Sequence, residues 1–299
     1  MSIVENSSIA VCMITMYPDW YPGEARGIKN IDKIRGDLAL KSIRASLKKG
    51  YSTFVAFHEN SPELNKELKK IEGILLYKRT TKNSTPSKRH LIESAAKDPQ
   101  IKVIAVIEPE KASFIKDCLK LCIAPILENK TDIVVPKRNE DLFKRTYPDY
   151  MYESETESIK LYNEELKAHG IIPSTHEGFD TFFGPRVFAN KPEIVALFVA
   201  SYRFRIENIS FPELYVDAEE LSNTNFHSIV LALKQGYRVE SVEVSFIYPP
   251  SQKENEEKGA REHFIEKRKA QRLGFIIELM HFVTFLEKNK ASRVSNTEG

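Results

Sequence analysis

Through its first half the chain alternates short apolar runs with amphipathic stretches. β-Rich apolar runs fall at residues 9–15, 53–58, 74–77, 103–107 and 132–136, and helical patterning fills 34–49, 62–71, 86–97 and 112–128 between them. In the first helical stretch Ile34, Leu38, Leu40, Ile43 and Leu47 recur near a 3.6-residue period, and Gly50 follows as a stop. Pro62 follows Ser61, and Pro86 follows Ser84-Thr85, which is how a helix with proline in its first turn begins. Strands that are apolar throughout, separated by helices, predict a mostly parallel central sheet with helices on both faces, hence an α/β fold. In such sheets ligands bind beyond the carboxyl ends of the strands.

The second half is less regular. Residues 153–169 read as a polar amphipathic helix, 179–188 as an aromatic turn region, and 192–201 and 217–235 as further helices. Residues 238–248 alternate like a strand and stop at Pro249-Pro250. A long charged helix over 255–288 closes the chain, and the tail beyond Lys288 is expected to lack order. The pattern contains no repeat and no linker, so residues 1–250 are expected to form one α/β domain. Residues 251–299 would then be a C-terminal helix and flexible tail packed on that domain.

Composition narrows the class. Over 299 residues, 44 Lys and Arg balance 42 Asp and Glu, so no global field attracts a polyanion, and no nucleic-acid partner is expected. No run is long and apolar enough to span a membrane, and the N-terminus lacks the charged and apolar regions of a signal peptide. Three cysteines (Cys12, Cys118, Cys122) cannot form an even disulfide framework, which suits buried thiols in a reducing compartment. A cytoplasmic protein is expected.

Candidate chemistry concentrates after the fourth apolar run, at Glu108-Pro109-Glu110-Lys111. Two carboxylates two residues apart can share a hard divalent cation, and such a cation neutralises a diphosphate. The fixed φ of Pro109 stiffens the turn. An acidic first turn of the following helix, favoured by the macrodipole, accounts for the same residues without a ligand. Lys88 and Arg89 stand near a helix N-terminus, where free N–H groups favour anions. Arg35 and Arg79, each near an element boundary, are further phosphate candidates, and Tyr17, Trp20 and Tyr21 could stack on a ring. The basic run from Arg261 to Arg272 is interleaved with acids and reads as a solvated face, as does His263 within it.

These residues, in order, resemble a known family. A first strand, the helix entry Arg35-Gly36-Asp37-Leu38-Ala39-Leu40-Lys41-Ser42, a second strand ending in the polar loop His58-Glu59-Asn60-Ser61, the segment Thr85-Pro86-Ser87-Lys88-Arg89 and then a strand ending in acids look like a glycosyltransferase of the nucleotide-diphospho-sugar (GT-A) fold. Over roughly residues 8–250 the order is similar to family-2-like glycosyltransferases, and more loosely to the mannosylglycerate synthase group. Glu stands at both positions where those families usually place Asp-x-Asp, and the Gln-x-x-Arg-Trp of processive members is missing.

The resemblance implies a nucleotide-diphospho-sugar donor and a small or soluble acceptor. Thr15, Lys88, Arg89 and Glu108 would bind the donor, and Glu108 and Glu110 would hold Mn2+ or Mg2+. Lys111 would assist the leaving diphosphate, and Asp180, with Glu177 and His176 close by, would serve as the acceptor-side base. Arg186 would take an anionic group of the acceptor. Two alternatives remain open: a nucleotidyltransferase that makes the sugar nucleotide, and a catalytically silent nucleotide-binding relative. For the former, Gly23-Glu24-Ala25-Arg26-Gly27 is a weak match to the expected glycine-rich loop.

Overall fold

A computed structural model describes residues 6–27, 29–79, 84–200, 223–259 and 261–295. Its first four strands are β1 (Ile9–Thr15), β2 (Ser52–Phe57), β3 (Ile74–Lys78) and β4 (Val103–Val106), joined by α1 (Ile31–Lys48), α2 (Pro62–Lys69) and α3 (Ser84–Ala96). All pair in parallel. The chain steps outward from β1 to β2 and β3, then crosses back through α3 to lay β4 on the other side of β1. That reversal is a topological switch point, and it opens a crevice beyond the carboxyl ends of β1 and β4.

After β4 come a π-helical turn (Phe114–Cys118), α4 (Leu119–Leu127), β5 (Ile133–Arg138), α5 (Glu140–Thr146) and α6 (Asp149–Ala168). The chain then enters β6 (Arg186–Ala189), where an aromatic turn is predicted from sequence. β6 runs antiparallel between β4 and β5, with Val106 opposite Arg186. Four residues are too few to show a period, and all four are buried, so no alternation marks them. β7 (Val239–Val244) pairs in parallel with β5 and completes the order β3-β2-β1-β4-β6-β5-β7. Pro136 sits inside β5 without breaking the sheet, because β6 pairs only with Ile133 and Val134 and leaves Pro136 no ladder bond to supply on that side.

Both faces are covered, as the apolar strands predict. Val11 and Met13 of β1 face a core with Leu40 and Ile43 of α1, Phe114 and Met151. Ala10 and Cys12 face the opposite core, with Leu91 of α3, Tyr162 of α6 and Phe282. The C-terminal part holds α7 (Pro192–Val199), α8 (Asn223–Lys234), α9 (Pro250–Glu254), a second π-helical turn (Asn255–Gly259) and α10 (Arg261–Ser295). α10 packs on α6 and α8. It continues to Ser295, past Lys288, where the sequence pattern predicts loss of order. The parts of the expected helices at 192–201 and 217–235 that fall within 201–222 lie outside the described residues, as does the His263 side chain. Among the described residues, no helix is long and apolar enough to cross a membrane.

Candidate functional site

The crevice at the switch point is a cleft of about 300 Å³. Cys12 and Ile14 of β1, Met16 and Tyr17 beyond it, Arg35 of α1, Arg79 after β3, and Lys88 and Leu91 of α3 form part of its wall. Val106 through Glu110 at the end of β4, with Gly184 and Asn225, complete it. Local sequence accounts for each position. Asn30 caps α1 by accepting from the Lys33 N–H, so the helix starts before Ile34 and carries Arg35 in its second turn. Arg79 Nε donates to Ser87 Oγ at 2.6 Å, tying the end of β3 to the first turns of α3 and so placing Lys88.

The acids at the end of β4 are both at the cleft, in different states. Glu110 Oε1 accepts from the Tyr17 hydroxyl at 2.9 Å. Glu108 lies against Gly184, whose missing side chain leaves the room that the carboxylate occupies. Its Oε2 is buried and has no hydrogen-bond partner. A buried carboxylate oxygen without a donor costs free energy unless a ligand supplies one. Lys88 is half-buried in the same wall; burial pulls its ammonium below the usual lysine range, while the Glu108 charge works in the opposite direction. Burial by itself would also lower Arg35, but Glu110 and Glu256 together hold its guanidinium firmly charged. The Tyr17 phenol is pushed well up by burial and by Glu110.

Other predicted residues sit elsewhere. Lys111 leaves the cleft and lies over the rings of Phe183 and Phe246, 4.9 and 5.2 Å from their centroids. Thr15 is fully buried beneath the loop that follows β1: its Oγ1 accepts from Asn60 Nδ2, and Asn60 Oδ1 accepts from the Tyr17 N–H. Arg89 shares α3 with Lys88 but is not part of the cleft wall. Trp20 packs on Gly36 and donates to Asp37.

Asp180 is 5% exposed and is gripped by Arg138, whose Nε and Nη2 reach Oδ2 and Oδ1 at 2.7 and 2.8 Å. The Arg138 and Phe183 N–H groups also donate to it, so both oxygens are taken. Glu155 pairs with the same guanidinium at 2.6 Å. His176 accepts from the Gly178 N–H, and Glu177 is exposed beside Lys137. Arg186 is fully buried and donates to the carbonyls of Thr181, Phe183, Pro185 and Asn225. Burial lowers its guanidinium to about 10, against the pull of Glu108 and Asp180.

Sequence reasoning missed the surroundings of Arg35. Glu256, fully buried in the second π-helical turn, accepts from Arg35 Nη2 at 2.9 Å, from Gln252 at 3.1 Å and from the Tyr248 hydroxyl at 2.8 Å. Its only sequence signal is an acid in a charged run. For a divalent cation, the cleft offers the two carboxylates Glu108 and Glu110, one oxygen of the former without a donor. Among the described residues, no group of three or more His, Cys, Asp or Glu converges. This donor set fits Mg2+ or Mn2+ held jointly with ligand phosphates, since Mg2+ commonly takes one or two protein carboxylates and completes its shell with phosphate and water.

No protein-family model matches the chain, and no curated protein matches its sequence. Among solved structures it is similar to a chain described as a nucleotide-diphospho-sugar transferase from Desulfovibrio desulfuricans G20 (TM-score 0.43, 7% identity, 89% of this chain and 97% of that one). It is also similar to 4-diphosphocytidyl-2C-methyl-D-erythritol synthase from Anaerococcus prevotii (TM-score 0.44, 14% identity, 86% and 99%). A third likeness is to TarS from S. aureus (TM-score 0.39, 12% identity, 89% and 70%). With TM-scores below 0.5, these likenesses assign no role to any residue of this chain.

Proposed function

We propose that the protein is a nucleotide-sugar-dependent transferase that moves a glycosyl group from a nucleotide-diphosphate donor to a small or soluble acceptor. The observation that carries this reading is the buried, unpartnered Glu108 Oε2 at a switch-point cleft whose wall also holds Lys88, Arg35 and Arg79. Three cations suit a diphosphate, and two carboxylates suit the cation that travels with it. Glu108 and Glu110 would hold Mg2+ or Mn2+ together with the donor phosphates; the ion would stabilise charge on the leaving diphosphate. Lys88 would meet the same phosphates directly. Tyr17 keeps Glu110 oriented. Asp180 serves in this reading to hold Arg138 and the loop that leads to Gly184, so Glu108 is the carboxylate that faces the ligand.

The test is thermal stability against UDP, CDP, GDP and ADP, with and without Mn2+ or Mg2+. A diphosphate at about 100 times its Kd adds about 2.7 kcal/mol. No shift with any of them refutes the reading. Where binding is found, release of nucleoside diphosphate from a sugar nucleotide marks the glycosyltransferase. Pyrophosphate release from a nucleoside triphosphate and a sugar phosphate marks a nucleotidyltransferase instead.

A further inference from the structure

Arg35 stands where the cleft meets the C-terminal segment. Phe264 of α10 covers the guanidinium at 5.7 Å, Nη2 is bonded to Glu256, and the side chain is part of the cleft wall. Its Nε is buried without a hydrogen-bond partner. A guanidinium carries five N–H donors in a rigid fork that matches phosphate oxygens, and Arg35, a lining residue of the cleft, has in Nε a donor that the protein itself does not use. Glu256 differs: its two oxygens accept from Arg35, Gln252 and Tyr248, and it is fully buried. Arg35 is its ion-pair partner at 2.9 Å. The turn that bears it, Asn255–Gly259, is π-helical, a distortion that often marks functional positions.

We infer that Arg35 is a phosphate-binding residue of the cleft and that Glu256, carried by the C-terminal segment, is its positioning residue. Glu256 holds one edge of the guanidinium and leaves the rest of the fork for a diphosphate; Tyr248 and Gln252 in turn hold Glu256. The segment after β7 is therefore a working part of the ligand site. The inference rests on reading the cleft as a diphosphate site.

The experiment measures Kd by calorimetry for inorganic pyrophosphate, UDP and CDP, with Mg2+ present, on the full chain. The proteins are the wild type, Arg35→Met, Arg35→Lys, Glu256→Gln and the double variant Arg35→Met/Glu256→Gln, each checked for fold by circular dichroism. Arg35→Met is expected to weaken pyrophosphate by about tenfold to a hundredfold, the loss of a charge-assisted contact, and Arg35→Lys to recover part of it. Glu256→Gln is expected to weaken binding several-fold when Arg35 is present and to add nothing in the Arg35→Met background. Should Glu256→Gln not fold, Tyr248→Phe removes one donor to Glu256 and is read in the same two backgrounds. Should Arg35→Met not fold, Arg35→Lys alone must weaken pyrophosphate.

Unchanged affinity in the Arg35 variants overturns the inference while leaving the nucleotide-sugar reading intact. An equal loss from Glu256→Gln in both backgrounds makes Glu256 merely structural and overturns its positioning role. Pyrophosphate binding that depends on Arg35, without binding of UDP or CDP, upholds the inference and counts against those donors. A wild type that binds none of the three overturns the inference, and the nucleotide-sugar reading falls with it only if GDP and ADP fail as well.

Discussion

The Glu108 carboxylate occupies the space in which any side chain at position 184 would have to stand. Gly184 precedes β6 and Glu108 follows β4, so the antiparallel entry of β6 brings the two together. Gly184→Ala must displace Glu108 or move the strand. We expect a stability cost of about 1–3 kcal/mol from overpacking and at least tenfold weaker binding of a nucleoside diphosphate, read by melting temperature and calorimetry. An alanine variant that binds as the wild type does would detach Glu108 from the ligand.

Gly36 lies within α1, where glycine costs roughly 0.5–1 kcal/mol relative to alanine. Propensity alone therefore favours Gly36→Ala. The Trp20 indole, however, rests on Gly36 and would collide with the added methyl. Overpacking costs about 1–3 kcal/mol, so the clash prevails. The variant should melt lower, and Trp20, the single tryptophan, should report the disturbance as a red-shifted emission.

Asp180→Asn should act on stability. It removes the carboxylate that Arg138 grips with two nitrogens, and only Glu155 remains on a buried guanidinium. Breaking such a pair costs roughly 3–5 kcal/mol. Denaturant titration should show that loss. A variant as stable as the wild type but without turnover would return Asp180 to the role of base.

The acid limb of stability should depend in part on Asp132. Hydrogen bonds from Arg238, then from Lys191, outweigh burial and hold its carboxyl far below the usual carboxylate range. A folded pKa below the unfolded one adds stability above the unfolded value of about 3.9, and that stability is lost as pH falls toward the folded value. Asp132→Asn should therefore cost roughly 1.5–3 kcal/mol at neutral pH, with the difference from wild type shrinking below about pH 4. A pH-independent difference would assign the effect to packing.

The part of the fold that was legible in the sequence is the part set by periodicity. β1 to β4 with α1 to α3 follow from apolar runs and helix punctuation, and Glu108 and Glu110, singled out at the end of β4, both line the cleft. Short-range patterns say nothing of partners distant in the chain. Lys111 adjoins Glu110 in sequence yet rests on Phe183 and Phe246, and Asp180 looks like a free acid until Arg138 is folded onto it. β6 escaped notice because a four-residue buried strand has no period to read. Glu256 escaped because a fully buried acid within a charged run has the same letters as a solvated one.

Arg35 and Glu256 are 221 positions apart. Contacts of such separation require closure of a long loop, an entropic cost that grows with length and slows their formation. A nascent chain that has emerged as far as β7 already has the sheet strands but lacks the acid that steadies Arg35. Capacity to grip a phosphate would thus arise only once the segment beyond β7 has docked, and diphosphate affinity would report that docking.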